Sequence, residues 1–258
     1  MTDDLQKIAA RALGLIDLTN LNDDCTAEDI TALCAATSTP HGKVAAVCVW
    51  PDFVAQCMRE VGEGSGIAIA TVVNFPGGDK DRKTVLAETK KAVADGATEV
   101  DMVLPYHALA SGDVDLAGDT IAMVRAATSG RAKLKVIIES GELKAPDLIR
   151  AATRLALDED ADFVKTSTGK VDINATPETA DIMLGEIKQF GDPKRGFKAA
   201  GGIRTVEDCA AYFAIADDLM GHDWVEKSTF RFGASSLLGN VLEVLDGTAS
   251  SAGSDSGY

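Results

Sequence analysis

The chain has 258 residues, 40 of them acidic and 25 basic, for a formal net charge of -15 at pH 7. That length buries a sizeable core and fits one large α/β barrel or two small domains. The negative charge favours solubility and disfavours unspecific attraction to nucleic acid or anionic lipid, so any phosphate-bearing ligand needs a local positive site.

The five cysteines, Cys25, Cys34, Cys48, Cys57 and Cys209, show no CxxC spacing, and no secretory leader is recognisable at Met1. A reducing, cytoplasmic compartment is the expectation. No apolar run reaches the roughly 20 residues that span a bilayer. His41, His107 and His222 stand apart from one another and from the cysteines, which points away from a metal centre.

Along the chain, short β-branched apolar runs alternate with amphipathic, alanine-rich segments. After a short N-terminal helix, eight strands are predicted at residues 15–19, 44–49, 68–73, 99–104, 134–139, 163–166, 196–199 and 231–233. Helix ends are marked between them. Thr26 with Asp29 reads as an acidic capping box, Gly96 stops a helix that begins near Lys83, and Thr176 with Pro177 and Glu178 opens another. Eight strand–helix units predict an α/β fold of one domain, a closed (β/α)8 TIM barrel over residues 1–246. The competing arrangement, an open doubly wound sheet, calls for a GxGxxG turn after an early strand, and none follows residues 15–19 or 44–49. Residues 247–258, GTASSAGSDSGY, have the composition of a flexible tail.

Three predicted strands carry lysines. Barrel strands are covered on both faces, and a lysine keeps useful contact with a ligand only in the lumen near the C-terminal mouth. Lys165 and Lys198 lie near the ends of the neighbouring strands six and seven, while Lys135, in phase with Ile137 and Glu139 on strand five, sits deeper. Two close ammonium groups oppose each other's charge and desolvation adds to that, so one of them is expected to lose its proton more readily. A neutral amine is what attack on a carbonyl to give a Schiff base requires. The alternative is a buried ion network in which the lysines pair with Asp101, Glu139 and Asp17 and do no chemistry. Asp101 and Asp17, both on strands, are either proton shuttles or simple charge partners of Lys198, and spacing leaves both open.

AAGGIRTVED after strand seven and FGASSLLGN after strand eight occupy the two loops where this fold usually binds phosphate. Gly201 and Gly202 permit close backbone approach, and Ser235 and Ser236 offer hydroxyls at the start of the last helix. STGK over residues 167–170 is not a P-loop: the upstream glycine falls at Val164 and Val171 replaces the hydroxyl residue. Lys170 either reaches the phosphate or is a solvated loop lysine. Thr168 on the same loop, and Asp17, join it as candidate substrate-binding residues.

The segments LIDLTNLNDD, EVDMVLPY, LKVIIESGEL, DFVKTSTGK, GFKAAGGIRT and FRFGASSLL together resemble deoxyribose-phosphate aldolase, a class I, Schiff-base aldolase family of the barrel fold. The resemblance implies that Lys165 forms the Schiff base, that Lys198 lowers its pKa, and that Asp101 relays protons through a water. It implies phosphate binding by Gly201, Gly202, Ser235 and Ser236, and a C-terminal tyrosine, here Tyr258, that assists proton transfer. Ala199 stands where close relatives often carry proline, which frees the backbone beside Lys198. Cys48, late in strand two, is either a buried apolar residue or a target for reactive aldehydes at the mouth.

The reaction so implied is reversible cleavage of 2-deoxy-D-ribose 5-phosphate to acetaldehyde and D-glyceraldehyde 3-phosphate, with no metal or organic cofactor. The expected partners are small phosphosugars and aldehydes, and no nucleic acid or membrane; the sequence leaves the oligomeric state open, a homodimer being one option. A different class I aldolase or a transaldolase, a pyridoxal-phosphate protein and a phosphosugar-binding barrel are the alternatives.

Overall fold

The structure, a computed structural model, describes residues 2–248; Tyr258 lies outside the described residues. Eight parallel strands close on themselves: β1 (Ile16–Asn20), β2 (Ala46–Val49), β3 (Ala68–Val73), β4 (Glu99–Val103), β5 (Lys133–Ile137), β6 (Phe163–Lys165), β7 (Gly196–Ala200) and β8 (Phe230–Ala234). Each strand pairs with its neighbours in sequence, and β8 pairs with β1, so the predicted (β/α)8 barrel is the fold. Helices return the chain from each strand to the next, among them Arg82–Ala94 after β3, Pro177–Phe190 after β6 and Leu237–Leu245 after β8. The helix Thr2–Leu13 precedes β1 and packs on Val206–Met220 and Leu237–Leu245. It buries Ala9, Ala12 and Leu13, and Arg11 grips Asp217 with two bonds of 2.7 and 2.6 Å.

Local signals account for the element ends. Thr26 Oγ1 accepts the Asp29 N–H at 3.2 Å, and the Asp29 carboxylate accepts the Thr26 N–H at 2.9 Å, which is the predicted capping box. The helix Arg82–Ala94 ends one residue before Asp95, and Gly96 follows in the left-handed region at φ 105°. Pro177 occupies the first turn of its helix behind Thr176.

Two details differ from the predicted elements. Residues 44–49 reduce to the four of β2, preceded by a small antiparallel ribbon of Ser38–Thr39 with Gly42–Lys43. The predicted strand 134–139 stops at Ile137, because Glu139 turns left-handed at φ 52° and opens the short helix Ser140–Leu143. That break sits at the C-terminal end of a barrel strand, the end at which this fold places functional loops.

Candidate active site

The buried charges lie inside the barrel. Asp17 on β1 and Lys135 on β5 stand on opposite sides of the ring, yet the Lys135 Nζ is 3.3 Å from Asp17 Oδ2, a contact made only across the lumen. Lys135 also meets Glu99 at 2.5 Å and Asp101 at 2.8 Å. Arg231 on β8 closes the floor, with Nη1 2.6 Å from Asp17 and Nη2 2.8 Å from Glu99. Above it, Lys198 Nζ lies 2.5 Å from Asp17 Oδ2 and 2.8 Å from Asp101 Oδ2. Lys165 Nζ reaches the same Asp101 oxygen at 2.9 Å. Two glycines make room for these side chains. A Cβ at Gly233 would stand 2.9 Å from Lys198 Cε, and one at Gly196 would stand 2.4 Å from the Phe163 ring, over which Arg231 stacks at 5.6 Å.

Lys135, Lys165, Lys198 and Arg231 therefore share three carboxylates, Asp17, Glu99 and Asp101. With every group ionised the cluster has one positive charge in excess, so loss of one proton makes it neutral. Buried ammonium groups survive only with close carboxylates. Among the described residues Lys198 and Lys135 each have more than one, and Lys165 has a single one. For Lys198, burial works against the charge, but Asp101 and Asp17 overcome it and hold its proton above a lysine's ordinary range. For Lys165, burial is the largest influence and Lys198 adds to it; Asp101 opposes both without cancelling them, and the proton is held less tightly than in a free lysine. Of the expected pair, Lys165 is the one whose affinity falls, with desolvation ahead of the neighbouring cation as cause. Asp101 is pushed up by burial and pulled down further by Lys135, Lys165 and Lys198, which keep it ionised.

A cavity of about 270 Å³ opens above the cluster. Of Lys135, Lys165 and Lys198, only Lys165 lines it. Its far wall holds Gly201, Gly202, Ser235 and Ser236 from the loops after β7 and β8, and its side wall holds Thr168, Gly169 and Lys170 from the loop after β6. Gly201 and Gly202 both have φ 84°, a conformation that favours glycine, and a Cβ at Gly202 would meet nothing within 4 Å. Ser236 begins the helix Leu237–Leu245 and, among the described residues, makes no side-chain capping bond, so its hydroxyl and the helix N-terminus face the cavity as anion donors of the kind this fold uses.

The other predicted residues fall in different places. Asp17 is fully buried, saturated by Lys135, Lys198 and Arg231, and does not line the cavity; its geometry is that of a charge partner. Lys170 is at the rim, 2.9 Å from Asp23 of the loop after β1. Glu139 is not an ion partner of the lysines: its carboxylate accepts the Thr168 hydroxyl at 2.6 Å, and Glu99 takes its expected place in the network. Cys48 is fully buried beside the cluster, does not line the cavity, and burial holds its thiol above the ordinary range. Ala199 leaves β7 unbroken, with Lys198 seated on Asp101. The sequence reading missed Thr19, Asn22 and Arg204, all on the cavity wall. Arg204 was legible within AAGGIRTVED as a cation in a phosphate loop.

Residues 11–239, which span all eight strands, match the DeoC/LacD family aldolases. A deoxyribose-phosphate aldolase from Agrobacterium fabrum (strain C58 / ATCC 33970) is 52% identical over 250 residues, 96% of each chain. The structure described as a unique tetrameric deoxyribose phosphate aldolase from Aeropyrum pernix aligns with a TM-score of 0.74 at 26% identity, over 95% of this chain and 93% of that one. A protein from Toxoplasma gondii ME49 shares the fold, with a TM-score of 0.86 at 24% identity over 96% and 99% of the two chains. Since the match takes in the whole barrel together with the loops that frame its cavity, the chain belongs to the DeoC/LacD family of aldolases.

Proposed function

We propose that this aldolase reversibly cleaves 2-deoxy-D-ribose 5-phosphate to acetaldehyde and D-glyceraldehyde 3-phosphate through a Schiff base on Lys165. The observation that carries this reading is the separation of the buried lysines: only Lys165 faces the cavity, and it alone has a single carboxylate partner and a weakened hold on its proton. The extent of identity to the Agrobacterium fabrum aldolase supports the choice of substrate.

In the cleavage direction the neutral Lys165 amine attacks the C1 aldehyde of the open-chain sugar, and loss of water leaves an iminium ion. A base takes the proton of the C3 hydroxyl, the C2–C3 bond breaks, and its electron pair moves towards nitrogen to form an enamine. Glyceraldehyde 3-phosphate is released as the C3 carbonyl forms. Protonation of the enamine at C2 and hydrolysis of the new iminium ion free acetaldehyde and restore Lys165. Asp101, ionised and bonded to Lys165 and Lys198, is the proton-relay acid and acts through a water. Lys198 keeps a positive charge beside the amine. Gly201, Gly202, Ser235 and Ser236 hold the 5-phosphate, and Thr168, Lys170 and Arg204 border it. Nothing in the cycle calls for a metal or an organic cofactor, because the protonated imine is the electron sink. The five free cysteines fit a reducing, cytoplasmic compartment.

A panel of sugar phosphates tests the assignment. We expect acetaldehyde and glyceraldehyde 3-phosphate in equal amounts from 2-deoxyribose 5-phosphate. Faster turnover of a sugar phosphate that yields no acetaldehyde would reassign the substrate.

A further inference from the structure

The loop after β6 rests on a segment for which the reaction itself has no use. Glu139 is fully buried at the end of β5, forms no ion pair among the described residues and does not line the cavity. Its backbone lies at φ 52°, ψ 61°, in the left-handed region that a residue other than glycine keeps only when its surroundings impose it. What its carboxylate does is grip Thr168. It accepts the Thr168 N–H at 3.3 Å to each oxygen and the hydroxyl at 2.6 Å. Thr168 Oγ1 accepts the Lys170 N–H at 3.1 Å in turn. A chain of hydrogen bonds thus runs from Glu139 along the residues that form the side wall of the cavity.

The next two residues hold the same loop. The Ser140 N–H donates to the Thr166 carbonyl at 2.9 Å. Gly141 approaches so closely that a Cβ there would stand 1.8 Å from the Ile173 carbonyl oxygen, which excludes any side chain without movement of the loop. The segment therefore braces the loop at Thr166, Thr168 and Ile173, before, within and beyond the wall.

Resting on the reading of the cavity as a phosphate site, we infer that Glu139 and Gly141 are positioning residues that set its side wall and thereby the preference for a phosphorylated over an unphosphorylated sugar. An anion site made of backbone N–H groups and short side chains works only when those donors are held within about half an ångström of their places. Burial raises the pKa of Glu139, and the Thr168 hydroxyl and N–H oppose that rise; both donate to its oxygens, so the grip is strongest in the ionised form.

The test compares kcat/KM for 2-deoxyribose 5-phosphate with that for 2-deoxyribose in the wild type, Glu139→Gln and Gly141→Ala. Borohydride trapping of acetaldehyde is run on the same preparations. We expect the ratio to fall about tenfold in either variant, the scale of one lost hydrogen bond to a charged group, through KM for the phosphorylated sugar more than through kcat. Gly141→Ala moves the wall without altering a charge and carries the test if Glu139→Gln does not fold. A ratio equal to the wild-type value in the folded variants overturns the inference, whatever the absolute rates. A wild type that fails to trap acetaldehyde instead overturns the proposed Schiff-base reaction on which the inference rests.

Discussion

Lys165 has what a nucleophilic amine needs and Lys198 has what it must avoid, although the two are register partners on adjacent strands. The difference is one carboxylate. Lys198 takes both Asp17 and Asp101, and Lys165 takes a share of Asp101 only. Substituting Lys198 by Met leaves each of those acids with two cations, Lys135 and Arg231 for Asp17, Lys135 and Lys165 for Asp101. The cluster then lacks a repelling charge, and Asp101 is free to bind Lys165 more closely. Both changes strengthen the hold of Lys165 on its proton. In the wild type that hold is weakened, so the rise of kcat/KM with pH, which reports the free amine, lies below the ordinary lysine value of about 10.4. Lys198→Met is expected to move this rise to higher pH and to remove about tenfold of the activity at pH 7 for each unit moved. An unmoved rise in a pH–rate series would show that Lys198 does not tune the amine.

At the scale of elements, the strand positions were readable because both faces of each barrel strand are covered, so the strands stand out as apolar runs between polar turns. The same covering put the strand lysines in the lumen, the one place where they keep useful contact with a ligand, and phase grouped Lys135 with Ile137 and Glu139. It could not tell how far a side chain reaches across the lumen. Glu99 and Arg231 were therefore seen only as strand residues, although they complete the ion network from the other side of the ring. Phase failed at Glu139, which follows Lys135 and Ile137 in alternation, because the backbone leaves the strand before it. Gly233 on β8 was hidden for a similar reason, since its role is to leave space for a side chain of β7. Gly233→Ala would place its Cβ 2.9 Å from Lys198 Cε and 3.0 Å from the Ala200 Cβ. We expect at least tenfold loss of kcat at a cost of about 1–3 kcal/mol in stability, as for other overpacked sites. Activity within twofold of the wild type, with an unchanged denaturant midpoint, would mean that Lys198 has room to spare.

On the scale of the whole molecule, closure of the barrel brings six strands to one charged cluster and stacks that cluster beneath one cavity. Removing Asp17 or Asp101 would leave buried cations short of a partner, at a cost of about 3–5 kcal/mol. The acidic surface and the cationic cavity wall divide the electrostatic work: a net charge of -15 favours solubility, while Lys170 and Arg204 border the proposed phosphate site. All of this matters to catalysis only if Lys165 reacts. The direct measurement is the intact mass of the protein after borohydride reduction with acetaldehyde, for wild type and Lys165→Met, followed by peptide mapping. We predict one acetaldehyde-derived ethyl group on wild-type Lys165 and none on the folded variant. An unmodified wild type, or equal labelling of a folded Lys165→Met, would contradict the Schiff-base account and leave the strand-six lysine as a member of a structural ion network.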